Sequence, residues 1–259
     1  MSLNICILGN SHMAAFKLAW EAIKQDYPDV RITFFGGIKG VVSRLHVEDG
    51  AIVPDNDRVR ESLLWTSGGL DRITGDYDAF LLIGMGLSYE RLVHMFKNHR
   101  LPDMIETLKH SVQPISESYL RAATEYFYSA SGAVQNVEHV HAITSAPVFY
   151  IPCPLVSERA LDDASYAYWR FVKGRDYMMN VYNSMLDRLR EHCTVAPQPE
   201  ETVVDGIFTK GKYCVGAVRL EKGLDRAHDV RDYVHMNAEF GEISLRDALA
   251  IIRKALPDR

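Results

Sequence analysis

Asn4-Ile5-Cys6-Ile7-Leu8-Gly9-Asn10-Ser11-His12-Met13-Ala14-Ala15-Phe16-Lys17-Leu18-Ala19-Trp20-Glu21-Ala22-Ile23 is the stretch that decides the architecture. Asn4 to Leu8 is a short, continuous apolar run closed by glycine, the pattern of a strand covered on both faces in the middle of a parallel sheet. After Ser11 the period changes. Ala14, Ala15, Leu18, Ala22 and Ile23 recur at three and four, which describes one buried face of a helix running to Gln25. Strand, glycine turn and helix together open a βαβ unit.

The same alternation continues outward. Val30 to Phe35 reads as a second parallel strand between Pro28-Asp29 and Gly36-Gly37, with Gly40 shortly after. Leu45 to Glu48 and Ala51 to Val53 flank Asp49-Gly50, a dipeptide suited to the positive φ angles of a tight hairpin; this hairpin is expected to decorate the core. Ala79 to Ile83 is the clearest strand of all and should be central, with Gly84-Met85-Gly86 closing it. Helical periodicity covers Tyr89 to Phe96, Leu101 to Leu108, and a stretch capped by Ser116 with Tyr119, Leu120, Ala123, Tyr126, Phe127 and Ala130 on one face. Val148 to Ile151 supplies a fourth strand. A long helix is predicted from about Asp176 to His192, and a last one from about Asn237 that buries Leu245, Leu249, Ile252 and Leu256. Thr194 to Tyr213, with Pro197, Pro199, Gly206 and Gly211, reads as loop. The expected fold is a three-layer α/β/α sandwich with a mainly parallel, flavodoxin-like central sheet, residues 1–259 forming one domain. In such sheets sites form at the carboxyl ends of the strands.

Composition removes several classes of function. The chain has 259 residues, 47% hydrophobic and 24% charged, which excludes a disordered or fibrous protein. Its 29 basic against 34 acidic residues give a net charge of −5. With no long Lys/Arg cluster, nucleic acid is not an expected partner. Cys6, Cys153, Cys193 and Cys214 are scattered without a Cys-x-x-Cys pair, which fits a reducing, cytoplasmic setting. The amino-terminal segment has no basic residues and too short an apolar run for a secretory signal. Ala142 to Val156, the most apolar stretch, is broken by Pro147, Pro152 and Pro154, so no membrane partner is expected. Neither glycine-rich nucleotide motif occurs, and no cofactor is implied. A metal reading would rest on Glu138, His139 and His141 as alternate residues of a strand, but a third ligand is not evident and a solvated helix end is the better account; no metal is expected. Tyr166, Tyr168, Trp169 and Phe171 form an aromatic cluster, by default core packing and otherwise a sugar-stacking platform.

Two short constellations carry chemistry. Ser11 follows the first strand at the start of the first helix, where the helix dipole and its own N–H face any oxyanion formed nearby. A serine here is either a nucleophile or a plain N-cap, and spacing alone favours the cap. Asp232 and His235 stand three apart before the final helix, where the carboxylate can bond one imidazole nitrogen and leave the other free as a base. His228-Asp229 is a rival acid–base pair nearby. His12 is a poor base for its neighbour Ser11 and reads as substrate contact or packing. Asn237 reads as a helix cap or a substrate contact.

Taken together, Gly9-x-Ser11, a following glycine among Gly36, Gly37 and Gly40, and Asp232-x-x-His235-Met236-Asn237 near the carboxyl end resemble the SGNH (GDSL-like) hydrolase family, in particular members associated with polysaccharide modification. The resemblance implies acyl-ester hydrolysis, often carbohydrate O-deacetylation, on a small-molecule or carbohydrate ester. It implies Ser11 as nucleophile, His235 as base and then acid, Asp232 as its orienting group, and the N–H groups of Ser11 and of Gly37 or Gly40 as oxyanion donors. Acyl transfer on the same residues is the variant chemistry. One block departs from the pattern: after the central strand the family has Gly-x-Asn, and this chain has Gly84-Met85-Gly86. Loss of one oxyanion donor costs about 3 kcal/mol, so a non-catalytic glycan-binding or accessory protein is the alternative that Gly86 raises.

Overall fold

The computed structural model describes residues 2–38, 40–105, 112–224 and 226–256. Five strands form the main sheet: β1 (Leu3–Gly9), β2 (Val30–Gly36), β3 (Ala79–Ile83), β4 (Val148–Ile151) and a two-residue edge strand, β5 (Thr194–Val195). Their order is β2-β1-β3-β4-β5 and every pairing is parallel. Parallel neighbours need crossovers, and the helices within them are α1 (Met13–Ile23), α2 (Asp57–Ser67), α3 (Tyr89–Met95), α4 (Glu117–Ser129), α5 (Gly132–Ile143) and α6 (Val172–Arg190), while α7 (Ala238–Ala255) follows the last strand and packs back on α1.

Both faces of the sheet are covered. Ile5, Ile7, Phe34, Leu81, Ile83 and Phe149 point to one side, where Met13, Phe16 and Trp20 of α1 and Phe240, Leu249 and Ile252 of α7 bury them. Cys6, Leu8, Phe35, Phe80, Leu82 and Tyr150 point to the other, against residues of α2, α3, α5 and α6 such as Leu63, Leu92, Val140 and Met185. Strands buried on both faces need unbroken apolar runs, which is what β1 and β3 have. The result is an α/β fold with a parallel central sheet between two helical layers, in the 2-1-3-4-5 order of flavodoxin-like sheets.

The topology fixes where a site can lie. The chain leaves β1 to build β2 on one side and returns to build β3 on the other, so the order reverses between β1 and β3. Gly9 stands opposite both Gly36 and Ile83, and Ile83 opposite Ile151, so the four strands end level and a crevice opens beyond them. Glycine at the end of β2 is a steric condition: a Cβ on Gly36 would run into the Gly9 carbonyl.

Several expectations need correction. The Asp49-Gly50 hairpin forms with both turn residues at positive φ, but it is not peripheral, because Leu45, Ala51 and Ile52 are buried in the core and Ile52 bridges to Ile73. On α4 the buried residues are Leu120, Thr124 and Tyr128, while Tyr119 and Tyr126 face solvent. Of the helix expected over Leu101 to Leu108, Pro102–Met104 is a single 3-10 turn and residues 106–108 lie outside the described ones. The segment read as loop after Thr194 contains β5 and a small two-stranded ribbon, Val203–Val204 with Phe208–Thr209. Trp169 is fully buried and Tyr168 nearly so, which makes that aromatic cluster core. No helix among the described residues is long and apolar enough to cross a membrane.

Helices α1 and α7 pack so tightly that Gly241, in the first turn of α7, rests on the backbone of Ala15, where a Cβ would collide with the carbonyl. Overpacking against backbone costs about 1–3 kcal/mol. Gly241→Ala is therefore expected to lower the unfolding free energy by that amount, seen as a lower denaturant midpoint with an unchanged slope in fluorescence-monitored unfolding.

Candidate active site

The loop before α7 is built around one carboxylate. Asp232 Oδ1 accepts the backbone N–H groups of Val234 and His235 at 3.1 and 2.9 Å. Its Oδ2 accepts the Nδ1–H of His235 and the Nδ1–H of His228, each at 2.8 Å. Four donors saturate a carboxylate. Burial raises the pKa of Asp232, and the hydrogen bonds from His228 and His235 outweigh it and hold the group far below the usual carboxylate range. Buried Tyr233 and Met236 peg the loop on either side, and the Tyr233 carbonyl takes the Ser157 N–H at 2.8 Å.

His235 reaches from this loop to the end of β1. With its Nδ1–H committed to Asp232, its Nε2 carries the free lone pair, and the Ser11 hydroxyl lies 2.8 Å away. The Ser11 side chain caps nothing: α1 starts without a side-chain cap, so the cap reading does not hold. The structure thus brings together Ser11, His235 and Asp232, which are more than 220 residues apart at their extremes.

The His235 ring is itself enclosed. His228 stacks on it at 3.9 Å between centroids and 12° between planes, and His12 at 4.8 Å and 27°. Two rings stacked this closely cannot share a face, so His235 lies between them. Sequence reading set His228 aside as half of a rival pair with Asp229; it is instead a second imidazole on Asp232, and the only signal for it was its proximity in the chain. The Nε2 of His228 and the Nδ1 of His12 are buried with no partner among the described residues. Burial, then the neighbouring His235, lowers the pKa of His12 to about 3. His12 packs against Gly84 and stacks on the His235 ring, which is the packing alternative of its sequence reading.

Two other assignments change. Asn237 caps α7, its Oδ1 accepting the Phe240 N–H at 3.1 Å while its Nδ2 donates to the carbonyls of Lys212 and Val215. Its polar atoms are spent, so it is not available to substrate. The Gly37 N–H donates to the Gly9 carbonyl at 3.3 Å and is not free to serve an oxyanion. Gly40 sits at φ +78°, where glycine is favoured, before the 3-10 turn Val41–Ser43, and lines the crevice. The Ser11 N–H makes no hydrogen bond among the described residues.

The departure at Gly86 has a backbone cause. Gly84, Met85 and Gly86 all have positive φ, at 74°, 58° and 87°, a left-handed run that a side chain at 86 would strain. The turn is held at each step: Gly84 N–H to the Ile151 carbonyl, the Tyr150 hydroxyl to the Gly84 carbonyl, Ala133 N–H to the Met85 carbonyl. The Gly86 N–H faces the Cys153 thiol and works against the burial that pushes its pKa up to about 11. Any Cβ on Gly84 would also meet Asn10 Oδ1 at 2.7 Å and His12 Cδ2 at 2.9 Å, so this turn can approach the serine only as glycine.

His228, Asp232 and His235 place three potential metal-ligand atoms within 4.8 Å of one another. In the observed arrangement the two Nδ1 atoms direct their protons at the carboxylate, so a cation there would have to break both bonds. Glu138, His139 and His141 lie on α5 and not on a strand, so the two histidines point about 200° apart around the helix, and His141 bonds the His192 carbonyl at 2.8 Å.

No family model and no curated protein matches the chain. Among solved structures it is similar to a carbohydrate acetylesterase family member from Sinorhizobium meliloti, with 14% identity over 98% of this chain and 99% of that one and a TM-score of 0.37. It is also similar to a catalytic mutant of Axe2, an acetylxylan esterase from Geobacillus stearothermophilus, with 12% identity, 97% and 95% coverage and a TM-score of 0.39. A gut microbial diltiazem-metabolizing enzyme is matched at 11% identity over 96% of this chain and 46% of that one, with a TM-score of 0.45.

The depressed pKa of His12 makes stability depend on pH. A free imidazole protonates near 6.5 and folded His12 near 3, so between those values the unfolded chain holds a proton that the folded one lacks. Stability therefore falls as pH drops below about 6.5, by up to about 2 kcal/mol at pH 5 from this residue. His12→Gln should remove that part of the slope when urea melts at pH 7 and pH 5 are compared, and an unchanged slope would refute the assignment.

Proposed function

We propose that the protein is a serine-dependent acyl-ester hydrolase, with Ser11 as nucleophile, His235 as general base and then acid, and Asp232 as the group that orients and charges the imidazole. The observation that carries this reading is the chain of two 2.8 Å contacts from the Ser11 hydroxyl through His235 to Asp232, placed at the crevice where the sheet order reverses.

In the first step Ser11 Oγ attacks the ester carbonyl carbon, its proton passes to His235 Nε2, and the C=O π pair moves onto oxygen. Asp232, already ionised, offsets the imidazolium charge without taking a proton. The tetrahedral oxyanion faces the Ser11 N–H and the amino end of α1, where partial positive charge favours it. Collapse expels the alcohol, which takes the proton from Nε2, and leaves acyl-Ser11. Water then attacks the acyl carbon by the same route, and a sugar hydroxyl in its place would make the reaction a transfer. Acetyl esters of carbohydrates, the class that the sequence resemblance implies, are the first substrates to test.

His228 is a positioning residue in this reading. It supplies one of the four hydrogen bonds that keep Asp232 ionised and covers one face of the working imidazole.

A fluorophosphonate should give a single adduct on Ser11, seen by intact mass and peptide mapping, that is lost in His235→Ala; folded protein that takes no adduct would count against an activated serine. Ser11→Ala should lower ester turnover about 10⁴-fold or more. His228→Ala is expected to lower kcat about 10-fold with little change in KM, and His228→Asn, which keeps a donor, to recover part of it. Equal losses for both His228 variants would deny it that role.

A further inference from the structure

Next to Ser11 the crevice opens into a cavity of about 420 Å³, within the size range of small-molecule sites. Asn10, Gly40, Ser43, Gly86, Arg91 and Phe127 are among the residues that line it. Asn10 ties the cavity to the serine: it is the neighbouring residue, and its Oδ1 accepts the His12 N–H at 3.2 Å, which leaves its Nδ2 without a hydrogen bond among the described residues.

The charge on this wall is one-sided. Arg91 is the single formally charged group among the described lining residues, and no carboxylate is among them. Arg91 sits in the first turn of α3, fixed there by its N–H to the Ser88 cap at 3.5 Å, and its Nη1 lies 3.5 Å from where a Cβ on Gly86 would be. The guanidinium thus lies beside the glycine turn, at van der Waals distance from the open side of Gly86. No Asp or Glu of the described residues lies within ion-pair distance of Arg91. Glu90, its neighbour on α3, accepts the Tyr168 hydroxyl at 3.3 Å and is not part of the cavity wall. Ser43, Ser131 and Asn10 add neutral polar groups, while Met95 and Phe127 add apolar surface. An unpaired guanidinium on such a wall gains most from a carboxylate, which it can bind with two parallel hydrogen bonds.

We propose that this cavity receives the carboxylate-bearing part of the substrate, with Arg91 as its anchor, so that the preferred esters are anionic. This rests on the reading of Ser11 as the attacking residue. The negative charge sits on the acyl group, as in a hemisuccinate, or on the alcohol, as in an acetylated uronic acid. Both present the same carboxylate to Arg91, at different distances from the scissile bond.

Two pairs of esters separate the sources: 4-nitrophenyl hemisuccinate against 4-nitrophenyl acetate, and an O-acetylated methyl galacturonoside against the corresponding galactoside. In one pair kcat/KM for the charged member, relative to the neutral one, should fall about 10- to 100-fold on Arg91→Met, with part of the preference kept in Arg91→Lys. A wild-type preference for the neutral member in both pairs, or a charged-to-neutral ratio that Arg91→Met leaves unchanged, would overturn the proposal. A binding measurement is independent of turnover. Calorimetry of Ser11→Ala with succinate and with galacturonate should show binding of one of them that weakens with salt and is lost when Arg91→Met is added. Should fluorophosphonate leave Ser11 unmodified, the hydrolase reading fails, and calorimetry still decides for or against the anion site: neither ligand binding to Ser11→Ala would refute it.

Discussion

The site depends on one carboxylate kept ionised while partly withdrawn from water. Withdrawal alone would raise the pKa of Asp232 and neutralise it, and a neutral acid would not hold the Nδ1 proton of His235 in place. Two backbone N–H groups and two imidazole N–H groups reverse the balance. The backbone pair comes from the turn that the carboxylate itself organises, so the loop's shape and the acid's charge sustain each other. Because Met236 is buried against the α1 and α7 layer and Asn237 caps α7, the same turn also sets the start of the last helix. Fixing that helix fixes the height at which His235 meets Ser11.

The other half of the site is a problem of close approach. Ser11 leaves β1 beside two strand ends, and Gly36 and Gly84 are the residues that let those neighbouring chains come near. Seen this way, the turn Gly84-Met85-Gly86 is not a damaged version of a donor-bearing loop. Its positive φ angles favour glycine at both ends, the polar groups of Gly84 and Met85 are matched to partners in β4 and α5, and a guanidinium from α3 lies beside Gly86. A side chain at 86 would be strained by the φ of 87° there.

What was legible in the sequence follows the strength of the local signal. The runs of β1, β3 and β4 are apolar on both faces and admit one reading, and the sheet they form already places Ser11 at a strand end. The Asp232-x-x-His235 spacing before a capped helix was equally local. Helix α2 left a weaker trace because only Val59, Leu63 and Thr66 of its residues are buried. In α5 the buried face includes Asn136, whose Nδ2 bonds the carbonyls of Val42 and Gly132, so polar character there hid a core position. Strand β5 has two residues and no period to detect. His228 and Arg91 could not be found from spacing, since what gives each its meaning is a partner or a gap brought near by the tertiary fold. The same holds for Gly37, whose N–H looked available until the β2 turn spent it on Gly9.

Enclosing His235 between two imidazoles has an electrostatic consequence beyond packing. Each stacked ring is compatible with a transient imidazolium only while it stays neutral itself, because like charges within 5 Å in a partly buried site repel strongly. Burial keeps His12 neutral down to about pH 3, so that face never competes for the proton. His228 presents the other face with its Nδ1–H already given to Asp232 and its Nε2 buried. The stack therefore leaves the Nε2 of His235 as the imidazole nitrogen that meets the serine, 2.8 Å from its hydroxyl. Three histidines in one site, which on composition alone suggest a metal centre, here form a stack in which His228 and His12 cover the two faces of His235, the ring whose Nε2 meets Ser11.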